Sequence, residues 1–151
     1  MEDIRSVQMD EEMRNEFLGR GGTGVLSLSS GKEQAPYSIP ISYGFDAEEE
    51  TFYFRLAFGT DSTKADLLER DSHVSFVTHE HTDDGWKSIV AAGQLSPITE
   101  GTVGTEILDR MRRIHIPLVD TFDRDPQELT FEFFRMKPYE FTGKREAHTE
   151  D

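Results

Sequence analysis

The sequence contains no cysteine. That excludes disulfides, thiolate nucleophiles and zinc sites built on sulfur, and leaves His, Asp and Glu as the ligands for any metal. Long apolar runs are also missing, and no stretch approaches the roughly 20 apolar residues that span a bilayer. The opening residues, MEDIRSVQMDEEM, lack the apolar core of a secretory signal, so a cytoplasmic location is expected. Basic charge is scarce: 16 Lys and Arg face 30 Asp and Glu, for a net charge of -14. With no basic stripe to neutralise phosphates, duplex nucleic acid is excluded as a partner. The carboxylates are scattered through DAEEE, EHTDD, DRDP and HTED rather than gathered in one tail. That scatter fits a protein of a salt-loving organism, hydrated by its surface acids, better than one with a single basic partner.

What remains is enough for one core, since 151 residues suit a single domain. The first eight and last six residues are expected to be loose tails. Met9, Met13 and Phe17 recur at helical spacing, with Asp10 placed to cap the helix and Glu11 and Glu12 suited to its first turn. Most of the remaining chain reads as strands. These are VLSLSS after Gly24, APYSIPISYGF (35–45), TFYFRLAF (51–58), HVSFVTHE (73–80), WKSIVAAGQLSPI (86–98) and LTFEFFRMKPYEFTGKR (129–145), the last bent at Pro138. Pro40 points to an edge or bulge in its strand, and Gly93 to a bulge. Short helices are expected at KADLLER (64–70) and over 99–116, where Val103, Ile107, Met111 and Ile114 share a face. The predicted fold is mainly β (α+β): a six-stranded antiparallel split β-barrel with short flanking helices.

GRGGTG, Gly19 to Gly24, has the G-x-G-x-x-G spacing of a dinucleotide loop. The chemistry of that loop needs a strand before it and a helix after it, so that helix amides meet the phosphates. Here the order is reversed. The stretch is expected to end the first helix at Gly19, in a left-handed cap, and to turn the chain into a strand.

The right order occurs forty residues on, in RLAFGTDSTK (55–64). A strand ends, a polar loop follows, and a helix opens at Lys64. Ser62 and Thr63 offer hydroxyls, Lys64 a point charge, and Arg55 a second cation, which together would suit a phosphate. Ordinary capping by Asp61 or Ser62 is the alternative from pattern alone. In WKSIV, alternation puts Trp86 and Ser88 on one face and Lys87 on the other. Trp86 is expected to pack at a barrel end. His79 and His81 would share a side if they lie in a strand, but no third ligand is placed by spacing, so a solvated turn is expected and no metal site. His73 and His115 are expected to be packing or surface residues.

The order of these motifs resembles the pyridoxamine 5′-phosphate oxidase-like FMN-binding split-barrel family, in particular its nitroimidazole-resistance-type members. The resemblance runs from about residue 9 to 145 and rests on GTGVLSLSS, PYSIPISYGF, FYFRLAFGTDSTKADLLERDSHVSFVT, WKSIVAAGQLSPI and FTGKR. It implies a homodimer with two FMN sites at the subunit interface. Carried onto this chain, it implies that Ser62, Thr63 and Lys64 bind the FMN phosphate and that Arg55 and Leu56 lie beside the flavin. Ile41, Ser42 and Tyr43 would line the ring, and Lys87 and Ser88 would contact the flavin or its phosphate. The chain lacks the C-terminal Trp and Arg pair of the vitamin-oxidising members, so that substrate is not expected. The implied function is a flavin-dependent oxidoreductase acting on a small molecule. A flavin carrier or sensor, or a haem- or deazaflavin-binding member of the fold, is the alternative.

Overall fold

A computed structural model describes residues 4–31, 33–58, 63–98 and 130–148. These comprise β1 (Ile4–Gln8), α1 (Glu11–Gly19), β2 (Gly22–Leu28), β3 (Tyr37–Asp46), β4 (Thr51–Phe58), α2 (Thr63–Arg70), β5 (His73–Thr82), β6 (Gly85–Gln94), β7 (Ser96–Ile98), β8 (Thr130–Met136) and β9 (Pro138–His148). All strand pairs are antiparallel, in one curled sheet of order β1-β9-β6-β5-β2-β3-β4-β8-β7. The expected class holds, with nine strands among the described residues rather than six. The expected helix over 99–116 and His115 lie outside them.

Two differences account for most of the extra strands. Ile4–Gln8, expected to be a tail, pairs with β9 from Lys144 to His148, so the far end of β9 is paired as well. The expected last strand is two strands. β8 pairs with β4, whereas β9 crosses to β6, with the break at Lys137 before Pro138. A proline cannot donate to a ladder, which favours the change of partner there. Pro40 itself lies where β3 pairs with β2 alone, since pairing with β4 begins at Ser42. The bulge expected at Gly93 is present as a register shift between Ala92 and Gly93.

Alternation sorts the sheet into two faces. The inner face carries the core: Leu26 and Leu28 from β2, Phe52, Phe54 and Leu56 from β4, Val74 and Phe76 from β5, Ile89 and Ala91 from β6. Burying these side chains supplies the main driving force, roughly 25 cal/mol per Å² of apolar surface. Helix α1 closes one side with Phe17 and Leu18, and Met9, just before the helix, joins the same core. Asp10 Oδ1 accepts from Met13 N at 2.8 Å, the expected cap. Arg14 fixes the helix to the sheet, its guanidinium 4.2 Å from the centroid of the Phe141 ring and 3.0 Å from Glu50 Oε1. The helix ends one step later than expected. Gly19 is its last residue, Arg20 is the cap in right-handed conformation, and Gly21 takes the left-handed turn at φ 66°. No helix among the described residues is long and apolar enough to cross a membrane.

Candidate functional site

The register places several candidate residues in one line across the outer face. Arg55 on β4 is opposite Ser42 on β3, and Ser42 is opposite Thr23 on β2. Continuing the register that pairs Val25 with Val77 brings Thr23 opposite His79 on β5. His79 is opposite Ser88 on β6, and Ser88 opposite Lys144 on β9. At about 4.8 Å per strand, Arg55 and Ser88 are roughly 19 Å apart along the sheet. The row contains hydroxyls, an imidazole and a cation at each end, and no carboxylate.

The adjacent row is apolar. Pro40, Val25, Val77, Val90 and Thr142 follow one another across the same strands, and the three valines are exposed. Beyond it lie Ser38, Ser27, Ser75 and Ala92, where the Ser27 and Ser38 hydroxyls share a hydrogen bond of 2.8 Å. From β3 to β6 these three rows hold no acid, in a chain with 30 acidic residues. Surface that is spared charge and rich in exposed valine is surface suited to being covered.

The other candidates fall elsewhere. Ile41, Tyr43 and Leu56 point inward and belong to the core, at 4%, 2% and 2% exposure. Only their backbone can reach the outer face, because side chains of neighbouring strand positions face opposite ways. Lys87 also faces inward, at the open end of the sheet opposite Glu80. There it borders a cleft of about 540 Å³ between α1 and the β5–β6 hairpin, with Asp10, Glu12, Glu16 and Arg20 on its walls. Thr63 and Lys64 begin α2, one loop after β4. Ser62 and the Gly59–Asp61 part of the loop lie outside the described residues. Thr23, His79 and Lys144 belong to the row although the motifs did not single them out for it. Their signal is only the alternation, which becomes a row once the register is known.

Two aromatic expectations change. His79 and His81 are not in a turn; they are outer-face residues of β5. Trp86 does not pack at a barrel end. It stands on the outer face, 49% exposed, with its ring centroid 5.0 Å from His81 and 5.6 Å from His79. Among the described residues no group of three metal-ligating side chains is close enough to hold an ion.

Among the described residues Tyr43 is the group with a marked electrostatic perturbation. Burial pushes its phenol from 10.0 up to about 12; a hydrogen bond with Thr78 opposes the shift and the charge of Glu80 adds to it. Thr78 Oγ1 in turn donates to Thr23 O at 2.8 Å, tying the core to the polar row. The unfolded chain loses the Tyr43 proton near pH 10 and the folded chain keeps it to about 12. The associated stability is present below pH 10 and is lost as pH rises to 12, by roughly 2–3 kcal/mol for a two-unit shift. Urea titrations at pH 9 and 11.5 should show a steeper fall for wild type than for Tyr43→Phe. Equal falls would mean that Tyr43 ionises as freely as an exposed phenol.

A family model described as pyridoxamine 5′-phosphate oxidase matches residues 10–145. The chain belongs to the pyridoxamine 5′-phosphate oxidase family. Solved structures agree in fold. A protein from Mesorhizobium loti described as FAD-binding matches with a TM-score of 0.67 at 20% identity, over 97% of this chain and 99% of that one. An FAD-binding protein from Mycobacterium smegmatis gives 0.63 at 16%, over 95% and 100%. A candidate 5-nitroimidazole antibiotic resistance protein from Bacteroides thetaiotaomicron gives 0.61 at 16%, over 97% and 90%. No curated protein matches the sequence. As a member of the oxidase family, the chain has its polar row and α2 on a shared scaffold, and function has to be argued from those residues.

Proposed function

We propose that this chain is a flavin-binding protein that works as a homodimer, with FMN held between two copies over the carboxylate-free rows of the outer face. The observation that carries the reading is the pairing of a carboxylate-free polar row with an exposed apolar row beside it. A flavin ring has a polar edge and an apolar edge, and such a surface offers each its counterpart. Ser88 would bond the polar edge, with Ser42, 6% exposed, lying deeper in the same row. Arg55 would hold negative charge near the strand end, and the first amides of α2, with Thr63, Lys64 and Ser62, would take the phosphate. The valine row would lie under the second copy and exclude water. Matches to FAD-binding structures support a flavin as the ligand class.

When bound, a flavin supplies electron and hydride transfer, and the protein supplies position and electrostatics. That division suits a row that offers hydroxyls and cations in place of a carboxylate pair. We infer an oxidoreductase acting on a small electron acceptor; a flavin carrier is the second reading. The purified protein should be yellow, absorbing at about 450 nm as oxidised flavins do. Lys64→Ala should weaken FMN binding about 10- to 100-fold, the scale of a charge-assisted contact of roughly 1.5–3 kcal/mol, as read by fluorescence titration. A colourless protein that does not take up FMN would remove the proposal. Unchanged affinity in the variant would remove the phosphate assignment. Steady oxidation of a reduced nicotinamide by the yellow protein would distinguish the enzyme from the carrier.

A further inference from the structure

Trp86 is the sole tryptophan of the chain, and it is placed expensively. An indole left half in water forgoes part of the stabilisation that burying a large side chain returns. It is nonetheless held in place. His81 lies directly opposite on β5, edge-on to the indole, and His79 touches it from the diagonal position. The Trp86 backbone N–H donates to Glu146 Oε2 at 3.1 Å. Continuing the β6–β9 register puts Glu146 opposite Trp86 on its other side. The result is an electron-rich ring with one open surface, flanked by two imidazoles and tethered through its backbone to a carboxylate.

The charge around it selects the ligand. Glu146 binds the Trp86 backbone, and Asp83 and Asp84 are exposed in the turn that leads into β6. Lys144 is diagonal to Trp86 on β9, and Arg20 and Lys87 line the cleft beside His81, where Asp10, Glu12, Glu16 and Glu80 outnumber them. The local balance is negative, as is the chain at -14. An electron-rich face in a negative field attracts cations and electron-poor rings and disfavours anions.

We propose that Trp86, His79, His81 and Glu146 form a stacking site for a planar, electron-deficient ring carrying positive charge, of the pyridinium type. The site lies on the same outer face as the polar row, two residues along β6 from Ser88. That such a ring exchanges electrons with a bound flavin rests on the preceding section; that it binds at Trp86 does not.

The test uses three ligands that share one ring and differ in charge: 1-methylnicotinamide, nicotinamide and nicotinate. Saturation-transfer NMR and quenching of Trp86 fluorescence, at pH 8 and low salt on the purified protein, should give saturable binding in that order of affinity. The cation should bind at least fivefold more tightly than the anion, and the gap should shrink in 1 M NaCl as screening takes hold. Trp86→Leu should weaken the cation at least tenfold by NMR with an unchanged circular dichroism spectrum. Glu146→Gln should narrow the gap between cation and anion. Quenching that rises without saturation, equal NMR binding by the leucine variant, or tightest binding of nicotinate would each overturn the proposal. A colourless protein that still binds the cation would remove the flavin reading and leave this one standing.

Discussion

Phe52→Ala should cost about 3–5 kcal/mol, the range for deleting a fully buried phenyl group. For a chain of this length that lowers the melting temperature by about 6–20 °C. Phe52 has no exposed surface and sits where four strands meet. Its ring centroid is 4.8 Å from Phe45 and 5.5 Å from both Phe76 and Phe141, and it stacks on Phe54 at 6.0 Å with 3° between planes. Those partners come from β3, β4, β5 and β9, so one side chain bridges both ends of the curled sheet. Packed rings around such a hub cannot all collapse into the space it leaves, which places the cost at the upper end for core deletions. Tyr139→Ala, at an exposed aromatic of the same sheet whose hydroxyl meets His73 Nδ1 at 3.3 Å, should cost no more than about 1.5 kcal/mol, the scale of one hydrogen bond. Thermal melts of the two variants beside wild type decide it. A Phe52→Ala loss below about 1 kcal/mol would mean that the aromatic cluster does not hold the sheet together.

Gly24→Ala should destabilise by about 2–3 kcal/mol, a large effect for one methyl group. A Cβ there would stand 2.5 Å from Val77 O and 2.6 Å from the Phe76 ring. Neither neighbour can yield easily. The Val77 backbone is clamped between β2 and β6, and Phe76 is fully buried. The methyl must therefore push β2 away from β5. That movement separates Thr23 from His79, so flavin affinity should fall along with stability. Gly19→Ala is the matched control. Nothing lies within 4 Å of a Cβ at Gly19, and a helical alanine gains up to about 1 kcal/mol over glycine. Urea unfolding of both variants checks the contrast. A Gly24→Ala stability within 0.5 kcal/mol of wild type would show that β2 and β5 have slack between them.

Much of this architecture is legible in local pattern. Met13 and Phe17 fix α1, Asp10 fixes its start and leaves Met9 outside the helix, and the alternation in HVSFVTHE gives both faces of β5. The order read around GRGGTG, a helix before and a strand after, is the one the structure has. The pattern fails where position depends on partners far away in sequence. Nothing local says that Ile4–Gln8 will find the end of β9, or that the chain changes neighbour at Lys137. Family resemblance named whole stretches such as ISY and RL, whereas a strand sends alternate residues to opposite faces. Of those five residues only Ser42 and Arg55 reach the outer face. Trp86 was unreadable for a different reason. Large aromatics are usually buried, and its exposure follows from the β5–β6 register rather than from its own neighbours.

The ends of the sheet decide how the protein can associate. Among the described residues β7 pairs only with β8; it is three residues long, and its central residue is Pro97. A strand that short, with an amide missing from its middle, is a poor template for another chain's backbone. Ladder growth from that border, the route by which sheets run on into fibrils, is therefore blunted. In the proposed homodimer, self-recognition would use side chains on the broad face, where contacts are finite and a pair of molecules can satisfy one another and stop.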